Sequence, residues 1–166
     1  MTGITPQQLA DREAIRDVAI RYCRGVDRLD VDVLKSAYWP DATDHHGDFV
    51  GNAHEFAEHC MTAHLRWSWT MHKIFNHLID LDDTTSARGE IYNVSTLCRA
   101  DTGEIDTWHG RYLDHYEKRG DEWRIIERVC VHEGTSTISA PPMAIVVETF
   151  HQGAEDRATP GRPIGP

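Results

Sequence analysis

Thr70-Met71-His72-Lys73-Ile74-Phe75-Asn76-His77-Leu78-Ile79-Asp80-Leu81 is the stretch at which the chain changes its hydrophobic period. Before it, apolar residues recur at three- and four-residue spacing. From it onward they alternate with period two through four long segments rich in β-branched and aromatic residues: 70–81, 86–100, 105–118 and 122–133. The segments are separated by the turn formers Asp82-Asp83-Thr84-Thr85, Asp101-Thr102-Gly103 and Arg119-Gly120-Asp121. This spacing predicts four long antiparallel strands joined by hairpins.

Working back toward the N-terminus, residues 6–29 read as an amphipathic helix. Ile15, Val18, Ala19, Tyr22, Val26 and Leu29 form its apolar stripe, and Arg12, Glu13, Arg16, Asp17, Arg21, Arg24 and Arg28 take most of the other side. Residues 30–38 predict a short helix with Asp30 as N-cap, stopped by Pro40. Residues 41–51 form a hairpin candidate carrying His45 and His46, and 52–66 a third helix capped by Asn52. Helices first and a meander of long strands after them is an α+β order, one that can curl a sheet around the helices into a cone with an internal pocket.

Within that frame a few residues carry chemistry. At about 100° per residue Asp27 falls at the border of the apolar stripe rather than on the charged face. It either faces the interior or pairs at the surface with Arg24 or Arg28. Period two puts His72, Ile74, Asn76 and Leu78 on one strand face. Alone, His72 reads as an interior histidine bonded to backbone. With a carboxylate on one ring nitrogen, its tautomer is fixed and the other nitrogen becomes a general base. Tyr22, in the stripe, is either a core tyrosine or a hydroxyl donor to the pocket. An arginine on an apolar strand face needs an acceptor, so Arg128, read as alternating with Ile126 and Cys130, either enters the pocket or marks the opposite face as the buried one.

Composition narrows the function classes. The net charge is -10, with no cluster of Lys and Arg, which argues against nucleic acid and anionic lipid as partners. The longest apolar runs fall far short of the roughly 20 residues that span a bilayer, and the opening residues show no signal-peptide core. Cys23, Cys60, Cys98 and Cys130 lie far apart without a CxxC pair and read as reduced core residues of a cytoplasmic protein. His54, His59 and His64 are spaced five apart, which does not place two imidazoles on one helix face, so no metal site is expected. Asn93-Val94-Ser95 is a glycosylation sequon by spelling alone.

The helix ending in Tyr22-x4-Asp27-x2-Asp30, the segment Thr70-Met71-His72-x3-Asn76 and the hairpin Gly110-Arg111-Tyr112-x3-Tyr116 through Trp123-Arg124-Ile125 together resemble the SnoaL-like family of the nuclear-transport-factor-2-like superfamily. The resemblance spans residues 8–134. It implies a cone-shaped, curved antiparallel sheet wrapped around N-terminal helices. One domain over residues 1–150 is expected, and 151–166, rich in Pro, Gly and charge, reads as a disordered tail. In its dehydratase and dehydrochlorinase members a helix-borne Asp bonds a strand-borne His that abstracts a proton, and Asp27 and His72 fall on those positions. Tyr22 falls on an active-site position of one member. His109, Arg128 and His46 stand at or near pocket positions of others, with Asn76 and Tyr112 as further substrate contacts. Because His109 and Tyr112 have opposite parity on one strand, lining by both requires a bulge near Gly110.

The implied function is a cofactor-independent lyase, resembling a dehydratase or dehydrohalogenase, acting on a hydrophobic and preferably cyclic small molecule. The alternatives are an isomerase or cyclase using the same pocket, and a non-catalytic ligand binder or oxygenase accessory subunit. A homodimer or homotrimer is expected.

Overall fold

The computed structural model describes residues 3–139, 143–146, 149–150 and 153. The tail expected over 151–166 lies outside the described residues except for Gly153. Helix α1 (Pro6–Arg28) starts with a reciprocal capping box, in which Thr5 accepts from the Gln8 amide and the Gln8 side chain accepts from the Thr5 amide. It ends at Leu29, whose φ of 52° is the left-handed conformation that closes a helix. Helix α2 (Val31–Ser36) has Asp30 as N-cap, and α3 (Ala53–Ala63) has Asn52. A single 3-10 turn (His64–Arg66) follows α3.

The strands are β1 (Tyr38–His46), β2 (Phe49–Asn52), β3 (Trp67–Leu81), β4 (Ser86–Arg99), β5 (Ile105–Arg119) and β6 (Glu122–Ile138). They form a curved, open six-stranded sheet in the order β2-β1-β6-β5-β4-β3. The four long strands pair antiparallel through consecutive hairpins, as the alternation predicts. β1 joins the edge of β6 in parallel, a long-range pairing with no local sequence signal. Pro40 does not stop a helix but sits inside β1, where the β1–β6 register is interrupted between Tyr38 and Thr43. Proline lacks the N–H a regular ladder needs, so an irregular stretch is where a strand tolerates it.

The core lies between the concave face of the sheet and the three helices. Ile15, Val18 and Tyr22 of α1, Phe56 and Cys60 of α3, and Ile79, Ile91, Tyr116 and Ile125 of the strands are buried together. Gly25 permits the tight crossing of α1 and α2, since a Cβ there would lie 2.5 Å from the Leu34 amide nitrogen. The convex face carries exposed Met71, Phe75 and Tyr92.

Bulges decide which side chains face the core. The β3–β4 register shifts between Ile74 and His77, so that Ile79 is fully buried whereas Asn76 and Leu78 are exposed. Strict alternation over His72, Ile74, Asn76 and Leu78 therefore fails after Ile74. A second shift, between His115 and Tyr116 on β5, places one extra residue, Ile126, in β6. Ile125 and Arg128 are consequently both buried, in place of an unbroken Ile126, Arg128 and Cys130 face.

Candidate active site

A cavity of about 630 Å³ opens between the concave sheet, the β1–β2 turn and the 3-10 turn that follows α3. His72 of β3, Ser95 of β4, Trp108 and Tyr112 of β5, Cys130 and His132 of β6, and His46 of β1 contribute to its wall, so almost every strand supplies a side chain. The size suits a small organic molecule.

The centre of the site is set by α1 crossing β3. Asp27 is 8% exposed, in the last turn of α1. Its Oδ1 accepts from the Thr70 hydroxyl at 2.8 Å and lies 2.7 Å from Nδ1 of His72. Its Oδ2 accepts from the His72 amide at 2.9 Å. Burial alone would raise the pKa of this carboxyl. The contacts from His72, then Thr70, outweigh it and hold the carboxyl below its ordinary range. An ionised Asp27 beside Nδ1 favours the tautomer with the proton on Nδ1, in which Nε2 has its lone pair directed away from the carboxylate.

Around this pair the structure separates the expected site residues into those that reach the cavity and those that do not. Tyr112 reaches it. Its ring stacks on Trp108 with centroids 6.3 Å apart, and its hydroxyl accepts from Nδ2 of Asn93 at 2.6 Å. Burial holds the phenol protonated, well above its ordinary range. Gly110 makes the Trp108 position possible, because a Cβ there would sit 2.1 Å from the end of the indole and 2.2 Å from the Val131 carbonyl oxygen.

His46 also lines the cavity, with its ring stacked on Phe56 at 4.6 Å. Its Nδ1 lies 3.2 Å from Oδ1 of Asp44, which is fully buried and whose Oδ2 accepts from the Tyr38 hydroxyl at 2.6 Å. Burial keeps that phenol protonated as well.

Tyr22, His109, Arg128 and Asn76 do not line the cavity. Tyr22 is 1% exposed and packs edge-on against His72 and Tyr112 from behind the wall. His109 is exposed on the convex face. The bulge foreseen near Gly110 exists, since His109 pairs with Gly134 and Gly110 with His132, but the extra residue is on β6. The parity of β5 is thus unbroken, and Trp108 rather than His109 faces inward with Tyr112. Arg128 is fully buried, bidentate to Asp114 at 2.7 and 2.6 Å, with its guanidinium between the rings of Tyr22 (4.1 Å) and Tyr112 (4.2 Å). It finds its acceptor in the core, where it backs the cavity wall. Asn76 falls beyond the β3 bulge and is exposed.

Ser95, Trp108, His132, Asn93 and Asp44 were not singled out from the sequence as site residues. For Asp44 a signal existed, because Asp44 and His46 are two apart on a strand and so share a face. Ser95 is paired with His72 across β3 and β4, a registry that only strand pairing sets. Asn93, spelled as a sequon, is 2% exposed and committed to Ser95 and Tyr112. All four cysteines are free, with Cys130 on the cavity wall. No helix among the described residues is long and apolar enough to cross a membrane.

Solved structures with the same fold include a hexachlorocyclohexane dehydrochlorinase of type 2, with a TM-score of 0.75 at 20% identity, covering 84% of this chain and 97% of that one. The type 3 dehydrochlorinase from Novosphingobium barchaimii LL02 has a TM-score of 0.73 at 20% identity over 82% of this chain and 98% of that one. A candidate scytalone dehydratase from Novosphingobium aromaticivorans has a TM-score of 0.73 at 16% identity over 81% and 92%. No curated protein matches the sequence. The SnoaL-like domain matches residues 7–129, so the chain belongs to the SnoaL-like family, within the nuclear-transport-factor-2-like superfamily.

Proposed function

We propose that this protein is a cofactor-independent lyase in which His72, oriented by Asp27, removes a carbon-bound proton from a hydrophobic small molecule held in the cavity. The observation that carries the reading is the 2.7 Å contact between Asp27 and Nδ1 of His72, on a carboxylate whose other oxygen is tied to the His72 backbone. That double grip fixes ring position and tautomer together and leaves Nε2 as the acceptor. The imidazole side chain is only 7% exposed, so water competes little for the lone pair. When Nε2 takes the proton, the new positive charge forms beside an existing anion, and the transition state is stabilised more than the resting state.

The walls favour an apolar, ring-bearing substrate. Trp108 and Tyr112 form one stacked aromatic surface, and Phe56 lies behind His46. The fold neighbours named for elimination reactions agree with this reading as likenesses of architecture.

A direct test is release of 4-nitrophenolate from 3-(4-nitrophenoxy)cyclohexanone, which needs a base at the α carbon and no proton at the leaving oxygen. His72→Ala is expected to lower kcat/KM by about 100-fold or more while calorimetric binding of cyclohexanone derivatives persists. Unchanged release in that variant refutes His72 as the base.

A further inference from the structure

The cavity holds a second imidazole on a buried carboxylate. His46 sits on β1 and His72 on β3, strands separated in the sheet order by β6, β5 and β4, yet both line the same cavity because the sheet curls. Each ring has Nδ1 against an aspartate, Asp44 in one case and Asp27 in the other. No hydrogen-bond partner for Nε2 of His46 exists among the described residues. The two differ in access to water: the His46 side chain is 28% exposed and the His72 side chain 7%.

This difference matters because three of the site residues expected from the sequence are out of position to deliver a proton. Tyr22 lies behind the wall, Arg128 is committed to Asp114, and His109 is on the outer face. Tyr112 reaches the cavity, but burial makes its phenol a poor proton donor.

We propose that His46, held by Asp44, donates a proton to the leaving group, and that the leaving group is therefore an oxygen, the substrate being a cyclic β-hydroxy carbonyl compound or a similar alcohol. The inference rests on His72 acting as the base in the same cavity. In the step, Nε2 of His72 takes the α proton and the C–H electron pair becomes the new C=C bond. The C–O bond breaks, its electron pair goes to oxygen, and that oxygen takes the proton from Nε2 of imidazolium His46 and departs as water. Afterwards His72 carries one proton more and His46 one fewer, and exchange with solvent restores both. A halide leaves as a stable anion and needs no such donor, whereas hydroxide is a poor leaving group unless protonated.

Asp44 lies on the same strand as His46, Asp48 in the following turn, and Arg128 on the paired strand, in register with Asp44. Tyr38, which bonds Asp44, and Tyr112, Cys130 and His132 on the cavity wall are further titratable neighbours, with the two phenols and the Cys130 thiol kept neutral by burial.

The test compares 3-hydroxycyclohexanone, followed by cyclohexenone absorbance, with 3-(4-nitrophenoxy)cyclohexanone, whose leaving group departs unprotonated. His46→Phe is expected to lower kcat/KM for the hydroxy ketone by about 100-fold more than it lowers kcat/KM for nitrophenolate release. Equal loss on both compounds makes His46 a structural or positioning residue and overturns the proposal, as does loss on neither. Should the native protein act on neither ketone, imidazole nitrogen NMR decides: a proton on Nε2 of His46 at neutral pH supports donation, and a bare Nε2 refutes it. Failure of the His72 reading shows separately, as nitrophenolate release that survives His72→Ala.

Discussion

Asp27→Asn is the most informative perturbation, because it keeps the shape of the side chain and changes only charge and hydrogen-bond polarity. The carboxylate accepts three bonds, from the Thr70 hydroxyl and His72 Nδ1 on one oxygen and from the His72 amide on the other. An asparagine offers one acceptor oxygen and one NH2. With the oxygen toward Nδ1 and Thr70, the NH2 meets the His72 amide, donor against donor. With the amide flipped, the oxygen satisfies the backbone N–H, and the NH2 turns Nδ1 into an acceptor. The second arrangement moves the ring proton to Nε2, which then cannot serve as a base.

Either outcome leaves a buried donor unmet or a ring in the wrong tautomer, at a cost of about 1–3 kcal/mol in stability. For catalysis the tautomer matters more. The equivalent Asp-to-Asn change in a Ser-His-Asp triad lowers kcat by roughly 10⁴ for this reason, and loss of a general base alone is about 10²–10⁴. The expectation for Asp27→Asn is therefore a loss of about 10²–10⁴ in kcat/KM for nitrophenolate release. Imidazole nitrogen NMR should show the His72 proton shifted from Nδ1 to Nε2. A loss of less than about threefold refutes the orienting role of Asp27. The same variant should alter acid unfolding. In the native protein the Asp27 pKa lies below 3.8, so its contribution is fully present above that value and is lost as pH falls through the folded pKa. Asparagine does not titrate, so that part of the acid-induced loss should be missing from the Asp27→Asn melting curves.

Other expectations follow from packing and buried charge. Asp114→Ala strands the fully buried guanidinium of Arg128 between two tyrosine rings, and a loss of about 3–5 kcal/mol is expected in urea unfolding. A change under about 1 kcal/mol would mean that Arg128 finds another acceptor. Gly110→Ala puts a methyl group within 2.2 Å of the Val131 carbonyl oxygen, which is backbone and cannot swing aside, and against the Trp108 indole. A lowered Tm together with weaker binding of aromatic ligands is expected, and an unchanged melting curve would show that β6 can shift there at little cost.

How much of this was legible before folding depends on the range of the interaction concerned. The capping residues Asp30 and Asn52, the long α1 and the four hairpin-linked strands follow from local spacing, and the structure places them within a few residues of expectation. The position of Asp27 at the border of an apolar stripe was also local information, as was the two-residue spacing of Asp44 and His46. What the sequence by itself determined was thus the order of the elements and a short set of groups able to handle a proton. Only the tertiary structure decided which of them meet. One extra residue in a ladder reverses the facing of every side chain beyond it, and such bulges arise from the match between two strands rather than from either strand alone. That is why Asn76 turns outward, why Ile125 and Arg128 are both buried, and why His109 stays on the convex face. The parallel docking of β1 on β6 and the curl of the sheet are long-range in the same sense, and they bring His46 and His72, 26 positions apart in sequence, to one cavity.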